Sequence, residues 1–267
     1  MAPPREGAHT RGRKAVSLAI RRTYQHPGAA RNTLYMSIYR RWKRIHEWLW
    51  PAACPLCHEP IAPAQPFCDA CERSLPRLDA CCGRCAAPLA SANAQLTCAD
   101  CQQRTPAYQA THALFRYAAP IDRLIQGAKY NGRLDWAALL GRRLAEHAAM
   151  RTASVDALVP VPLHRSRLRE RGYNQSHELA RPLMQRLKLP LLHGVERVRA
   201  TPPQTPLARE QRAHNVRGAF ATERDLGGLR LAIVDDVMTS GATADALAHC
   251  LRQAGAVSVE VWVVARA

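Results

Sequence analysis

Apolar and polar positions change their period along this chain, and each change predicts a different kind of element. From Met36 onward, Ile38, Trp42, Ile45 and Leu49 recur at steps of four, three and four, the spacing of one helical face. Arg40, Arg41, Lys43 and Arg44 cover much of the rest, so residues 36–50 are expected to form an amphipathic helix. Its stripe would pack on its own protein; an acidic membrane surface or nucleic acid is the other use of such a helix. Pro51 ends it and opens a Pro-rich stretch, short of long apolar runs, that reaches about Thr105. After Pro106 the pattern settles into apolar runs separated by amphipathic helices. "IDRLIQGAKYNGRLDWAALLGRRLAEHAAM" predicts helix, a Gly-containing break placed at Gly127, and helix; "DALVPVPL" predicts a short buried strand ending at prolines. "SHELARPLMQRL" is helical in period despite Pro182. "LRLAIVDD", "TADALAHCLRQAG" and "VSVEVWVVA" then predict strand, helix and strand, with Gly255 placed to stop the helix. Apolar strands alternating with helices point to an α/β fold with a parallel sheet.

Composition divides the chain further. Its 267 residues suffice for one substantial domain and a smaller module. The net charge of +17 points to a polyanionic partner, but it is unevenly spread. Residues 1–50 hold eleven Lys or Arg against two acids, a balance of +9 that leaves +8 for the other 217 residues. The first 30 residues mix Pro, Gly and Arg without an apolar period, so 1–35 is expected to be a basic, disordered tail or the product of an over-long start assignment. No stretch has the apolar length of a membrane span or a signal-peptide core, which leads to the expectation of a cytoplasmic protein with no integral membrane segment.

Nine of the ten cysteines fall between Cys54 and Cys101, eight of them in CxxC pairs: Cys54 and Cys57, Cys68 and Cys71, Cys82 and Cys85, Cys98 and Cys101. In a reducing compartment such pairs more often bind metal than form disulfides. Each pair presents two thiolates, and two pairs complete a tetrahedral four-sulfur site, so four pairs suffice for two zinc ions. An iron–sulfur site accepts the same thiolates and redox dithiols share the motif; a closed structural site favours zinc. Sequential pairing of the knuckles is favoured over interleaving, although spacing alone does not decide it. His58 is expected to be a bystander and Cys81 a spare thiol. Metal would also staple a segment of so little core. Residues 54–105 are close to neutral, which argues against a main phosphate-contact surface there.

The chemistry concentrates at "LAIVDDVMTSGATADAL". A strand through Leu231–Val234 would carry Asp235 and Asp236 to the carboxyl edge of a parallel sheet, where open α/β folds place ligands. Thr239, Ser240, Gly241, Ala242 and Thr243 then turn into a helix whose first N–H groups favour an anion. An anion at the turn with two carboxylates beside it suits a sugar phosphate, the acids accepting from ribose hydroxyls and helping to hold magnesium. A plain capped helix start is the simpler reading, but it leaves three hydroxyls around one glycine unexplained. No P-loop sequence occurs.

"IVDDVMTSGAT" resembles the binding signature of type I phosphoribosyltransferases, which recognise phosphoribosyl pyrophosphate with magnesium. In that family the paired acids hold the ribose hydroxyls and the loop holds the 5′-phosphate. The resemblance implies those roles for Asp235 and Asp236, the candidate catalytic residues, and for Thr239 through Thr243. "WLWPAACPLC", "FCDACERSLP", "CGRCAAP", "ALFRYAAPIDRLIQGAKYNGR", "LVPVPLHRSRLRERGYNQSHELA" and "QTPLAREQRAHNVRGAF" follow one another as in the ComF family, also called GntX-like or amidophosphoribosyltransferase-like proteins. That resemblance implies a double zinc ribbon over 51–105 and a type I phosphoribosyltransferase fold over 106–267. It also implies a role in natural competence, handling incoming single-stranded DNA, with competence-machinery partners such as a DNA-uptake helicase.

The motifs between have physical readings of their own. The loop after "VPVPL" would lie at the same sheet edge as the acids, so Arg165, Arg167, Arg169 and Arg171 could meet a pyrophosphate or DNA phosphate, or simply form a solvated surface. Asn174 and Gln175 are candidate orienting groups, and Lys129 a candidate phosphate contact. Arg209, Arg212 and Arg217 lie on a segment suited to a mobile flap. Cys250 is expected in the core. No recognisable catalytic triad is present, which leaves open whether the protein transfers a phosphoribosyl group or uses the fold to sense or dock a ligand.

Overall fold

A computed structural model describes residues 52–62, 65–90, 97–150, 155–200 and 216–267. The expected helix over 36–50, the tail before it, and Arg209 and Arg212 lie outside the described residues. The chain forms two compact units, 1–73 and 74–267, with the boundary inside the cysteine-rich segment.

The elements are α1 (Asp69–Ser74), α2 (Ala99–Gln103), β1 (Ala110–Arg116), α3 (Ile121–Tyr130), α4 (Leu134–Ala149), β2 (Ala157–Pro160), α5 (Arg165–Arg171), α6 (Gln175–Leu187), β3 (Val195–Arg197), β4 (Phe220–Thr222), β5 (Arg230–Met238), α7 (Ala242–Gln253) and β6 (Ser258–Arg266). Four strands form a sheet in the order β1-β6-β5-β2, every neighbouring pair parallel. The α/β class and parallel sheet expected from the alternating pattern are therefore present. β3 and β4 pair separately as an antiparallel ribbon.

β5 and β6 are the middle of the sheet, and their near-continuous apolar runs reflect burial on both sides. Leu231, Ala232, Ile233, Val234, Val259, Val261 and Val264 are fully inaccessible, and Trp262 is 1% exposed. Each fully buried Val, Leu or Ile side chain contributes about 1.5–3 kcal/mol, so this pair of strands is a large source of apolar stabilisation. The amino ends of β2 and β5 are pinned together by Asp156, which takes a two-pronged guanidinium contact from Arg230 at 2.9 and 3.0 Å.

Their carboxyl ends are unequal. The sequence places the end of the apolar run at Val234, but β5 continues to Met238 because β6 keeps pairing with it, Asp235 opposite Val263 and Val237 opposite Ala265. β2 stops earlier, with Pro160 opposite Val234 and a last link from the Val161 N–H to the Val234 carbonyl at 3.0 Å. Pro162 has no N–H to extend that ladder. Asp235 and Asp236 therefore lie inside a strand, one side of which has just lost its neighbour.

The break expected at Gly127 is not there. Gly127 is internal to α3, and the chain turns instead at Asn131–Arg133 around Gly132. A Cβ on Gly127 would lie 2.2 Å from the Trp136 ring, so this glycine serves helix packing rather than helix termination. Gly141 in α4 has the same use: its Cβ position is 2.5 Å from the Leu179 carbonyl of α6. No helix among the described residues is long and apolar enough to cross a membrane.

Candidate functional site

Asp236 is 5% exposed and paired with Lys129 from the last turn of α3, its carboxylate oxygens 3.0 and 3.3 Å from Nζ. Burial would lower the Lys129 ammonium, but the Asp236 and Asp235 carboxylates outweigh it and raise its pKa. Asp235 accepts the Ser176 hydroxyl at 2.8 Å and the Asp236 N–H at 2.9 Å. Burial first, and the adjacent Asp236 carboxylate second, raise the Asp235 carboxyl to about 7. Two carboxyls side by side in a half-covered strand are thus held by one ammonium and one hydroxyl, an arrangement poised to accept further positive charge or donated hydrogen bonds.

Lys129 and Ser176 reach this edge through the segment between β2 and α6. The Tyr173 hydroxyl donates to the Ala128 carbonyl at 2.7 Å, tying that segment to α3 beside Lys129. Asn174 is the N-cap of α6: its Oδ1 accepts the Ser176 N–H at 3.0 Å, and its Nδ2 donates to the Val161 carbonyl at 3.0 Å. Capping therefore places Ser176 and stitches α6 to the end of β2. Gln175 is buried beside it and accepts from Arg171, which also stacks over Tyr130 at 5.3 Å.

The other predicted arginines are spread over the short helix α5. Arg165 reaches Glu196 of β3 at 3.2 Å in an exposed ion pair, and half-buried Arg167 reaches exposed Glu170 at 3.5 Å. Arg169 is exposed. Arg197 on β3 has no sequence signal, yet it is in the electrostatic neighbourhood of Asp235 and Arg167. Burial lowers its pKa, Asp235 raises it, and Arg167 lowers it further. Ser176 was also unmarked in sequence, although it directly follows the Asn174–Gln175 pair that drew attention.

After β5 the chain crosses Thr239, Ser240 and Gly241 into α7. Gly241 takes a left-handed conformation at φ 79° as the helix N-cap and has no side chain to cap the first turn. The left-handed backbone favours glycine, and a Cβ there would lie 3.1 Å from the Tyr108 hydroxyl, close enough to push it by a few tenths of an ångström. The Ser240 hydroxyl is 3.4 Å from the Ala242 N–H. The start of α7 thus keeps its amides for something other than a strong internal cap. Arg217 accepts at its carbonyl from Arg199 at 2.8 Å.

The eight CxxC cysteines form two groups, Cys54, Cys57, Cys68 and Cys71, then Cys82, Cys85, Cys98 and Cys101, the sulfurs of each lying within 4.8 Å of one another. The pairing is sequential. Both open on the same knuckle. Cys54 and Cys82 carbonyls accept the N–H of His58 at 2.9 Å and Ala86 at 2.8 Å, and those two residues take left-handed φ of 64° and 55°. Burial pushes the Cys54 and Cys82 thiols up, but backbone N–H groups aimed at the sulfurs outweigh it and bring them to about 6 and about 7. Cys57 and Cys68 sulfurs are 3.5 Å apart, as are Cys85 and Cys98. Sulfurs 2.3 Å from a tetrahedral ion would be about 3.8 Å apart, so both groups fit a structural zinc ion. Cys81 and exposed His58 belong to neither group; Cys250 is half-buried rather than in the core.

A family model described as a double zinc ribbon domain matches residues 45–102. The DNA utilization protein YhgH of Salmonella typhimurium is 34% identical over 223 residues, 81% of this chain and 97% of that protein. Competence protein F of Haemophilus influenzae is 32% identical over 210 residues, 75% of this chain and 90% of that protein. Among solved structures, the chain is similar to a glutamine phosphoribosylpyrophosphate amidotransferase from B. subtilis complexed with ADP and GMP. That likeness has 21% identity and a TM-score of 0.36, covering 52% of this chain and 30% of that one. With two cysteine tetrads ahead of a parallel α/β domain, and relatives matched over nearly their whole length, the chain belongs to the ComF/YhgH family.

Proposed function

We propose that the chain binds phosphoribosyl pyrophosphate with magnesium at the carboxyl edge of β5. The observation that carries this reading is the adjacency of the Asp235–Asp236–Lys129–Ser176 cluster to a glycine-opened helix start held by a single long hydroxyl contact. The carboxyls would accept the ribose hydroxyls, and the amides and hydroxyls of Thr239, Ser240, Gly241, Ala242 and Thr243 would take the 5′-phosphate. Lys129, with arginines from α5, would face the pyrophosphate. Magnesium fits the hard oxygen donors of the two acids, and the raised Asp235 carboxyl is the mark of a site short of positive charge. When bound, the ion would neutralise charge on the pyrophosphate.

Transfer of the phosphoribosyl group needs little acid–base help from protein, because a cation-like sugar is stabilised by nearby carboxylates and the leaving group by cations. Calorimetry with phosphoribosyl pyrophosphate and magnesium tests the binding reading. Wild type should release heat that Asp235→Asn/Asp236→Asn loses; equal heats, or none from wild type, overturn it.

The relatives' names favour a biological setting in DNA utilization and competence, with single-stranded DNA and uptake-machinery proteins such as a DNA-uptake helicase as partners. The +17 charge supports a nucleic-acid partner. In the non-catalytic form of this reading, the ligand site senses or docks while DNA binds elsewhere. Binding to single-stranded DNA should then weaken steeply with salt and survive removal of residues 1–50. Loss on that truncation moves the DNA site to the tail, and a turnover assay with candidate bases separates transfer from sensing.

A further inference from the structure

The turn from Met238 to Gly241 has only one long side-chain link of its own, the Ser240 hydroxyl accepting the Ala242 N–H at 3.4 Å, while a side chain from another strand holds the carbonyls that lead into it. The buried side chain of Arg266, on β6, is 8% exposed. Its Nη1 donates to the carbonyls of Met238 at 3.1 Å and Thr239 at 2.5 Å, the two residues that lead into the turn. Its Nε donates to the carbonyl of Cys85 at 2.9 Å. Cys85 is one of the four sulfurs of the second tetrad. One guanidinium therefore holds a metal-ligand residue and the entrance of the turn at the same time. A planar group with several fixed donors can do this; a lysine ammonium at the end of a flexible stem cannot span both sides in one geometry.

Three further contacts join the start of α7 to residues 104–108, just after α2. Asp245, in the first turn of α7, accepts the Ala107 N–H at 2.7 Å and lies 3.6 Å from Arg104, the residue that ends α2, the helix carrying Cys101. Tyr108, 3% exposed, places its hydroxyl 3.1 Å from the position a Cβ on Gly241 would take. Cys85, Cys101, Arg104, Tyr108, Ser240, Gly241, Asp245 and Arg266 accordingly line one shared cleft.

We infer that Arg266 is a positioning residue through which closure of the second cysteine site sets the conformation of the 238–242 turn, so that ligand binding at the turn depends on that tetrad being intact. The consequence for ligand rests on the phosphate reading of the turn; the consequence for the turn itself does not. The first tetrad serves as the control, since its four cysteines lie in the other compact unit.

The test uses the full chain and three variants, Arg266→Lys, Cys101→Ser and Cys54→Ser. Zinc content, amide exchange at residues 238–245 relative to the middle of β5, and calorimetry with phosphoribosyl pyrophosphate plus magnesium are measured on each. Arg266→Lys should keep both zinc ions yet raise exchange at 238–245 about tenfold and weaken binding by a similar factor, the loss of one or two buried hydrogen bonds. Cys101→Ser should reproduce that local exchange pattern, and Cys54→Ser should leave both exchange and affinity at wild-type values. Wild-type exchange at 238–245 in Arg266→Lys overturns the inference, as does an equal effect from Cys54→Ser and Cys101→Ser. If Cys101→Ser does not fold, Arg266→Lys decides alone. If wild type binds no phosphoribosyl pyrophosphate, the ligand reading falls and the exchange measurement still decides the coupling.

Discussion

The two cysteine tetrads begin from the same spacing and the same knuckle, and they end in different surroundings. In the first, Cys54 is buried, Cys57 is exposed, and Cys68 and Cys71 are half-buried. In the second, Cys82, Cys85 and Cys101 are all buried and only Cys98 is intermediate. The left-handed residue after the first knuckle, His58, faces solvent, while its counterpart Ala86 is fully buried. Among the described residues, the first tetrad lies in the smaller unit, where Cys54 and Phe67 are buried before α1. The second shares its unit with the parallel sheet and gives the Cys85 carbonyl to Arg266, beside the turn of the candidate ligand site. The same four-sulfur chemistry can thus serve as an independent staple or as part of the support of another site, and the neighbours decide which.

Ligand removal tests this contrast most severely. Each of Cys54→Ser and Cys101→Ser should cost one zinc ion per chain by metal analysis. Only Cys101→Ser should lower the calorimetric unfolding transition of the α/β unit, by more than about 3 kcal/mol, since a structural zinc site contributes folding energy outright. Equal loss from both variants would erase the distinction. A gentler version uses a chelator on wild type. Zinc should leave in two phases, the faster from the tetrad with exposed Cys57, and Cys54→Ser should abolish the fast phase alone. A single phase would mean that the two environments are equivalent to solvent.

The next two predictions sharpen the contrast on the side of the second tetrad. Gly241→Ala should destabilise the α/β unit by about 1 kcal/mol through its left-handed backbone alone, and more if Tyr108 cannot move. Its effect should be smaller in a chain that already carries Arg266→Lys, as expected of coupled contacts in a double-mutant cycle. The acid pair gives a pH signature. The native Asp235 carboxyl, raised to about 7, holds its proton more tightly than the unfolded chain does between about pH 4 and 7, so stability falls as pH rises through that window. Between pH 6 and 7 wild type should lose about 1 kcal/mol more than Asp235→Asn. Identical pH profiles for the two would show that the native Asp235 carboxyl holds no extra proton in that window.

Much of this arrangement was legible in the sequence, for reasons that are local. Four CxxC spacings announce four knuckles because the motif closes on itself within a few residues. "LAIVDD" announces a buried strand because burial on both sides demands a continuous apolar run, and "TSGAT" announces a helix start because hydroxyls and glycine suit its amides. Gly127 shows where local reading fails: the glycine is demanded by Trp136 in the next helix, which no helix-stop rule can see. The length of β5 fails for the same reason, since pairing with β6 carries it through two acids that look like a strand's end.

The sequence alone determined the class of fold, the four cysteine knuckles and the acid-plus-turn motif, because each is specified by period or spacing along the chain, whereas the structure paired the knuckles in sequence. The tertiary structure alone brought Lys129 and Ser176 to the acids from 107 and 59 residues away, and linked Arg266 to Cys85 across 181. Those partners have no period to betray them: they meet only because a parallel sheet returns distant strand ends to one edge, where burial makes an unpaired charge or carbonyl too costly to leave alone.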